Sequence, residues 1–499
     1  MSRTLSNIIY ALAGVLIGQV FGSFNSFFLA KILSPSNYGV WMTLVMVGSL
    51  SPILCFGTVE TLLKEYPYYI GKEEIDKATK LESGVFGSIA LASSFIFFLA
   101  VIFPMIIPGH VLGEWIPHIR IMVFSAGITL FSAFLYHRFA AHQNFKIVAF
   151  LDSFRSFLIF IILISFSWYW GIKGTVIGFI IVESVVCLVS FILSFRYCGK
   201  LSICFNFSYL ASLVKTGFPI SIVWWAYMIQ VSVDRGMSMI FLGKELTGFY
   251  SLGMSITSLF LLFPQVIGRV LYPKVNQSIG KGAGKSEIDL IVLVPARALS
   301  LFTPVASMVL IIMLPVLYRD IFIKYYPGLL SAQVLIMGIS FLCIIRGGIN
   351  YLVSTNKQHK ILYYMVICIS INVILNYILV KIGLSIFGIS VSTVISGLVL
   401  SALVWNCVFI GMMYSRKNAF IEIAKLFMPI IVMISIVIPI ITIAPLWILH
   451  SYVAVALVSF LAVTLYGVIL YNISLVNSDI IEILLIFKSK IIRTESVKA

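Results

Sequence analysis

Residues 215–250 read KTGFPISIVWWAYMIQVSVDRGMSMIFLGKELTGFY. From Gly217 to Leu242 the run is almost wholly apolar and long enough to cross a bilayer as one helix. Asp234 and Arg235 lie inside it. A charge at membrane depth costs roughly 2.5–3.5 kcal/mol on insertion scales, so each needs a partner, a watery cavity or a task. Being adjacent, they point about 100° apart around the helix and face different neighbours. The stretch also echoes the start of the chain. Ala30-Lys31-Ile32-Leu33 followed by Tyr38 returns as Gly243-Lys244-Glu245-Leu246 followed by Tyr250. Tyr66-Pro67 with Ile70-Gly71-Lys72 returns as Tyr272-Pro273 with Ile279-Gly280-Lys281. The helix that starts near 216 therefore opens a second half.

The rest of the chain has the same character. Its 499 residues are 61% hydrophobic and 10% charged, with a mean hydropathy of +1.10. A soluble protein has no interior large enough for that much apolar surface, so the class is an all-α polytopic membrane protein. Runs of about 20 apolar residues, not short alternating ones, select helices over a barrel. Fourteen segments are expected, near 7–30, 38–62, 83–107, 119–137, 147–167, 174–195, 216–241, 249–274, 290–317, 331–354, 361–382, 385–411, 426–447 and 451–474. The repeat spans six of them, an even number. Its two copies then share an orientation, with an axis along the membrane normal and a substrate path between the halves. The expected organisation is a six-helix bundle over 1–215, a second over 216–413, and two extra helices with a tail over 414–499. The expected inner loops over 63–82 and 196–215 are the longest connections, too short for a soluble domain.

The net charge of +16 would point to nucleic acid in a soluble chain. Here the basic residues occupy short loops and set topology, so no nucleic-acid partner is expected. Only Lys31, Arg120, Lys173, Lys244, Arg319, Lys324 and Lys381 fall on one side of the alternating connections; most of the rest fall on the other. That side is the cytoplasm, and both termini belong there. The first segment follows MSRTLSN directly and reads as a retained helix.

No enzyme constellation stands out, and no cofactor or metal is expected. The six histidines form no HExxH. Gly280-Lys281-Gly282-Ala283-Gly284-Lys285 lacks the P-loop spacing and reads as a flexible basic linker. Seven scattered cysteines make no disulfide framework. Prolines such as Pro52, Pro104, Pro264, Pro295 and Pro304 mark kinks suited to bending helices. The chemical signal is the set of intramembrane charges: Glu60, Asp152, Arg155, Glu183, Asp234, Arg235, Arg269, Arg297 and Arg346. Asp152 and Arg155, three apart on one helix, form a candidate pair. Five arginines against four acids leave the interior cationic, which suits an anionic substrate. Counting along the segments places Arg155, Arg269, Arg297 and Arg346 in one layer, roughly 8–12 Å from the cytoplasmic side, with Arg235 toward the outer side. These five are the candidate substrate-binding residues. Snorkelling to the headgroups is the competing explanation. Glu60, Glu183 and Asp234 are the candidates for ion coupling or gating.

The opening FFLAKILSPSNYGVWM resembles the first hairpin of bacterial polysaccharide-unit flippases, the O-antigen-type (Wzx-like) translocases of the multidrug/oligosaccharidyl-lipid/polysaccharide exporter superfamily. Gly217-Phe218-Pro219, Asp234-Arg235, Leu242-Gly243-Lys244, Gly248-Phe249-Tyr250-Ser251-Leu252 and Val270-Leu271-Tyr272-Pro273-Lys274 resemble the same family. The resemblance implies two six-helix bundles around a central cavity. It implies outward movement of an undecaprenyl-diphosphate-linked oligosaccharide across a bacterial inner membrane for surface polysaccharide such as lipopolysaccharide. The partners it implies are the lipid-linked oligosaccharide, the bilayer, a polysaccharide polymerase and a chain-length regulator. Rival readings are a multidrug cation antiporter of the same superfamily, a lipid-II-type flippase and a membrane-embedded glycan polymerase. An antiporter favours an acidic cavity and a polymerase favours a large outer loop, and this sequence shows neither.

Overall fold

A computed structural model describes residues 24–106, 116–262, 285–443 and 451–473, with isolated positions in 18–22 and 264–278. Helical residues 24–32 lead into α1 (Pro35–Ser49), α2 (Thr58–Gly71), α3 (Ile75–Ile106), α4 (Ile116–Ala141) and α5 (Phe145–Leu158). Then come α6 (Ile164–Cys198), α7 (Phe207–Leu242), α8 (Lys244–Ser258), α9 (Lys285–Asp320) and α10 (Leu329–Ser354). The series closes with α11 (Gln358–Lys381), α12 (Ser385–Gly411), α13 (Arg416–Ile443) and α14 (Tyr452–Asn472). No strand occurs among the described residues. Ten stretches there are long and apolar enough to cross a membrane, and the bent helix α7 adds an eleventh. The longest of the ten, Phe145–Cys198, breaks at Gly171 (φ 56°) and so holds both the fifth and sixth expected segments. The chain is thus an all-α polytopic membrane protein. Parts of the first and eighth expected segments, and the basic linker 280–285 apart from Lys285, lie outside the described residues.

The chain forms two compact units, Met1–Ser251 and Leu252–Ala499. In the first, Ser34 caps α1 by accepting the Asn37 N–H, and Pro35 takes the first helical position, where no donor is needed. The second expected segment is not one helix. α1 stops at Ser49, a 3-10 turn over Ser51–Cys55 carries Pro52, and Phe56 (φ 46°) and Gly57 (φ 81°) turn left-handed before α2 begins. Proline and a left-handed pair cannot continue an α-helical ladder. The expected inner loop over 63–82 is mostly helix as well. α2 runs on to Gly71 and α3 starts at Ile75. Asn206 caps α7 through the Tyr209 N–H, which leaves 199–206 as the connection after α6. α7 bends by 59° between Pro219 and Ser221. Leu62, Leu81, Val85, Ile89, Leu130, Phe134 and Leu135 fill the core shared by α2, α3 and α4.

In the second unit α10 is the central helix. The span containing it is 78% buried, against 28% for α11 and for α14. Its small residues permit that position: a Cβ on Gly338 would press on Val394, and one on Gly348 on Val404. The outer faces of α11 and α14 carry exposed Tyr363, Val366, Ile374, Phe460 and Leu461. On a membrane protein such faces meet lipid.

Candidate functional site

The charged stretch of α7 lies against the starts of α1 and α8. Asp234 is buried, and Tyr250 of α8 donates its hydroxyl to Asp234 Oδ2 at 3.1 Å. Arg235 points elsewhere, as the 100° step between neighbours requires. Its guanidinium lies in the field of Tyr38, Tyr250 and Asp234, and its Nε is buried without a hydrogen-bond partner among the described residues. The turn that sets this register is a single residue. Gly243 (φ 85°) sends its N–H back to Ser238 O at 3.1 Å, a closure that L side chains rarely adopt. Thr247 Oγ1 then donates to Ser238 Oγ at 3.0 Å, tying α8 to α7.

The other candidates fall into separate places. Glu60 is half-buried in the first turn of α2, where the helix N-terminus favours a carboxylate. Arg155 of α5 reaches across to α6 and donates from Nε (2.9 Å) and Nη2 (2.5 Å) to Glu183 Oε1. Thus a candidate substrate residue and a candidate coupling residue neutralise each other. Asp152, the sequence-level partner for Arg155, accepts instead from Tyr136 at 3.0 Å and adds to the field on Arg155. In the second unit Arg297 of α9 is bonded to Glu422 of α13 at 2.8 Å, and Lys425 takes the other oxygen of Glu422 at 2.8 Å. Ser300 donates to Leu426 O at 2.6 Å and Tyr466 to Leu301 O at 3.0 Å, so α13 and α14 are both fastened to α9. Arg346 lines a narrow cleft with Gly268, Val292, Pro295, Ala296 and Asn350. Asn350 donates to Gly268 O at 2.9 Å on its wall. Arg269 lies outside the described residues. Arg155 belongs to the first unit, Arg297 and Arg346 to the second.

The strongest charge cluster is one the sequence reading passed over. Arg138 of α4 is almost wholly buried and spends every nitrogen. Nε bonds Glu82 of α3, Nη1 bonds the Ser194 hydroxyl of α6, and Nη2 bonds Cys198 O (3.1 Å) and Gly199 O (3.2 Å). It therefore caps the last carbonyls of α6 with a cation, which the helix dipole favours. His142 Nε2 stands 3.5 Å from Glu82 Oε2, and the Tyr66 ring lies against the His142 ring at 4.4 Å. Burial, and then the Glu82 charge, push the Tyr66 phenol up to about 12, so it keeps its proton. Sequence reading placed Glu82 and Arg138 at loop ends because both flank apolar runs. No signal in spacing joins residues 56 positions apart. Among the described residues no group of three or more His, Cys, Asp or Glu could hold a metal ion.

The fold so built is that of the MurJ and MATE membrane transporters. It is similar to lipid II flippase MurJ in an inward closed conformation, with a TM-score of 0.70 at 15% identity, covering 93% of this chain and 99% of that one. It is also similar to a mutant form of the Vibrio cholerae MATE transporter VcmN, at 0.55 and 16%, covering 83% and 97%. A third likeness is to a MOP superfamily transporter from Pyrococcus furiosus, at 0.52 and 12%, covering 83% and 95%. No curated protein matches the sequence. A family model described as "Polysaccharide biosynthesis protein" matches residues 4–278, more than half the chain, and the chain belongs to that family.

Proposed function

We propose that this protein is an alternating-access flippase that moves undecaprenyl-diphosphate-linked oligosaccharide units from the inner to the outer leaflet for surface polysaccharide synthesis. One observation carries the reading: a chain of the polysaccharide biosynthesis family has a fold that covers 99% of a lipid II flippase. The MATE likenesses cover less of the chain, 83% against 93%. The cargo is a diphosphate, so an inside-negative potential favours its outward movement by about 2.3 kcal/mol per charge per 100 mV. Guanidinium groups suit it because they pair with phosphate in a fork. Arg235 and Arg346 are the first candidates to meet it, and Arg269 belongs with them. Arg155 and Arg297 hold carboxylates and act first as ties between helices. Asp234 serves the gate, with Glu60 and Glu183 as further coupling or gating groups. The protein sits in a bacterial inner membrane with both termini in the cytoplasm, and the cargo passes to a polymerase and a chain-length regulator. The two repeat halves, 1–215 and 216–413, are the parts that rock, and 414–499 adds two helices and a tail.

The test is complementation of a flippase-deficient strain with repeat units of known structure. Surface polysaccharide returns if the reading is right. Drug efflux conferred by the chain without any polysaccharide would overturn it in favour of a multidrug antiporter.

A further inference from the structure

The two echoed motifs touch each other, and they do so symmetrically. A Cβ added to Gly39 of α1 would overlap the Lys244 carbonyl oxygen, and one added to Gly248 of α8 would overlap the Pro35 carbonyl oxygen. Lys244 is four residues before Gly248, and Pro35 is four before Gly39. Each helix thus presents the carbonyl of its first residue to the glycine one turn into the other. That is the contact expected of equivalent elements around a two-fold axis. Only glycine permits it, since the two backbones meet without side chains between them. The register also differs from the sequence echo of Tyr38 with Tyr250. Gly39 pairs with Gly248, which makes Trp41 the counterpart of Tyr250.

What lies behind the contact is the charged stretch of α7. Tyr250, two residues after Gly248, holds Asp234, and Tyr38, beside Gly39, acts on Arg235. Both tyrosines are wholly buried. α1, which bears the contact, and α7, which leads into α8, also have joints. α1 ends at the 3-10 turn and the left-handed Phe56-Gly57 pair, and α7 bends at Pro219. The two joints abut: a Cβ on Gly57 would overlap the Gly217 backbone, and Thr61 Oγ1 donates to Leu213 O at 2.9 Å. Elements bonded at one shared joint and touching through bare backbone at the far end can swing apart there without breaking side-chain packing.

We propose that Gly39 and Gly248 form a clasp between the starts of α1 and α8 that closes the outer face over Asp234 and Arg235, with the Gly57–Gly217 contact as the pivot on which it opens. The inference rests on the transporter reading only in needing an outer face. Its test uses no cargo, so it fails or succeeds independently of the substrate.

The reporter is Ser238→Cys, a conservative change at a buried position beside the clasp. Intact cells are treated with a membrane-impermeant maleimide, and labelling above that of the chain with its seven native cysteines is measured. Gly39→Ala and Gly248→Ala each force the backbones apart by about 1 Å, because a Cβ would otherwise fall well inside 3.0 Å of backbone. Each is expected to raise labelling of residue 238 about fivefold or more. Gly236→Ala is the control, since its Cβ would meet only Met46 in ordinary contact; labelling stays at the starting level. If one alanine variant does not reach the membrane, the other carries the measurement, since each adds its Cβ to the same contact. Unchanged labelling in all clasp variants overturns the proposal. A rise seen only in inverted vesicles, with reagent on the cytoplasmic face, overturns the placement of the clasp at the outer end.

Discussion

Two places in the first unit hold an arginine among the helices, Arg138 fully buried and Arg235 half-buried, and they treat it in opposite ways. At the ends of α3, α4 and α6, Arg138 meets a carboxylate, a hydroxyl and two carbonyls, and every guanidinium nitrogen is bonded. At the junction of α7 and α8, Arg235 has a buried Nε with no partner among the described residues. A donor left unbonded inside a protein costs about 1–3 kcal/mol, more when charged. The first arginine repays its burial by joining three helices. The second keeps one buried donor unbonded. Charge at depth, the criterion available from sequence, selected Arg235 and omitted Arg138. The completeness of the hydrogen bonding is what distinguishes the two arginines.

The sharpest way to break this contrast is Arg138→Met. It leaves Glu82 buried with a free charge, and loss of one partner of a buried pair costs about 3–5 kcal/mol. The purified variant should lose most of its thermal stability in detergent, and Glu82→Gln in the same chain should restore much of it. An unchanged melting temperature for the single variant would end the claim that Arg138 is structural. Next comes the pair between α5 and α6. Glu183 is 1% exposed at its side chain, Arg155 40%. Arg155→Gln strands a carboxylate in the interior, while Glu183→Gln leaves a guanidinium that can reach out of it. The first should destabilise by about 2–3 kcal/mol and the second by less. Equal melting temperatures would show that the two ends of this bridge are equally solvated.

A smaller loss is expected from Tyr66→Phe, about 1 kcal/mol for the hydroxyl that stands 3.4 Å from His142 Nδ1. The folded state raises the Tyr66 pKa from 10 to about 12. Its stabilising share is therefore present below pH 10 and fades as the pH rises through 12. Wild type and Tyr66→Phe should converge in alkaline melts; a constant gap up to about pH 12 would contradict the assignment. The smallest effect on stability belongs to Arg235→Gln, which removes an unsatisfied donor and should leave the melting temperature unchanged or slightly higher. Repeat-unit export should nevertheless fall severalfold at matched membrane levels. Stability lost in step with export would place Arg235 beside Arg138 as a structural residue.

Much of the fold was legible because membrane helices announce themselves. Largely apolar runs with prolines, glycines and basic ends located α4, α9, α10, α11 and α12 within about five residues, whereas α3 starts at Ile75, inside the expected loop. The stretch around Asp234-Arg235 identified α7. The break at Phe56-Gly57 was not legible, since left-handed backbone at a phenylalanine has no sequence signature. Nor was the fate of Arg155 and Arg297. Glu183 and Glu422 lie 28 and 125 residues away in sequence and become partners only through helix packing. The boundary read from the repeat, at 215, and the edge of the compact unit, at Ser251, answer different questions. One was read from an echo of short motifs; the other follows α7 and the start of α8, which pack with the first unit.

By itself the sequence determined the class, the succession of apolar segments and the positions where charge sits at depth. Those follow from transfer free energies, which depend on residue type and run length alone. Only the tertiary structure decided which charges are consumed. A buried ion pair depends on two helices meeting face to face, and Arg138 with Glu82 and Arg297 with Glu422 are made that way. It also decided that Gly39 and Gly248 face each other. A glycine in a sequence leaves room, and what fills that room is set by the other chain segment that packs there.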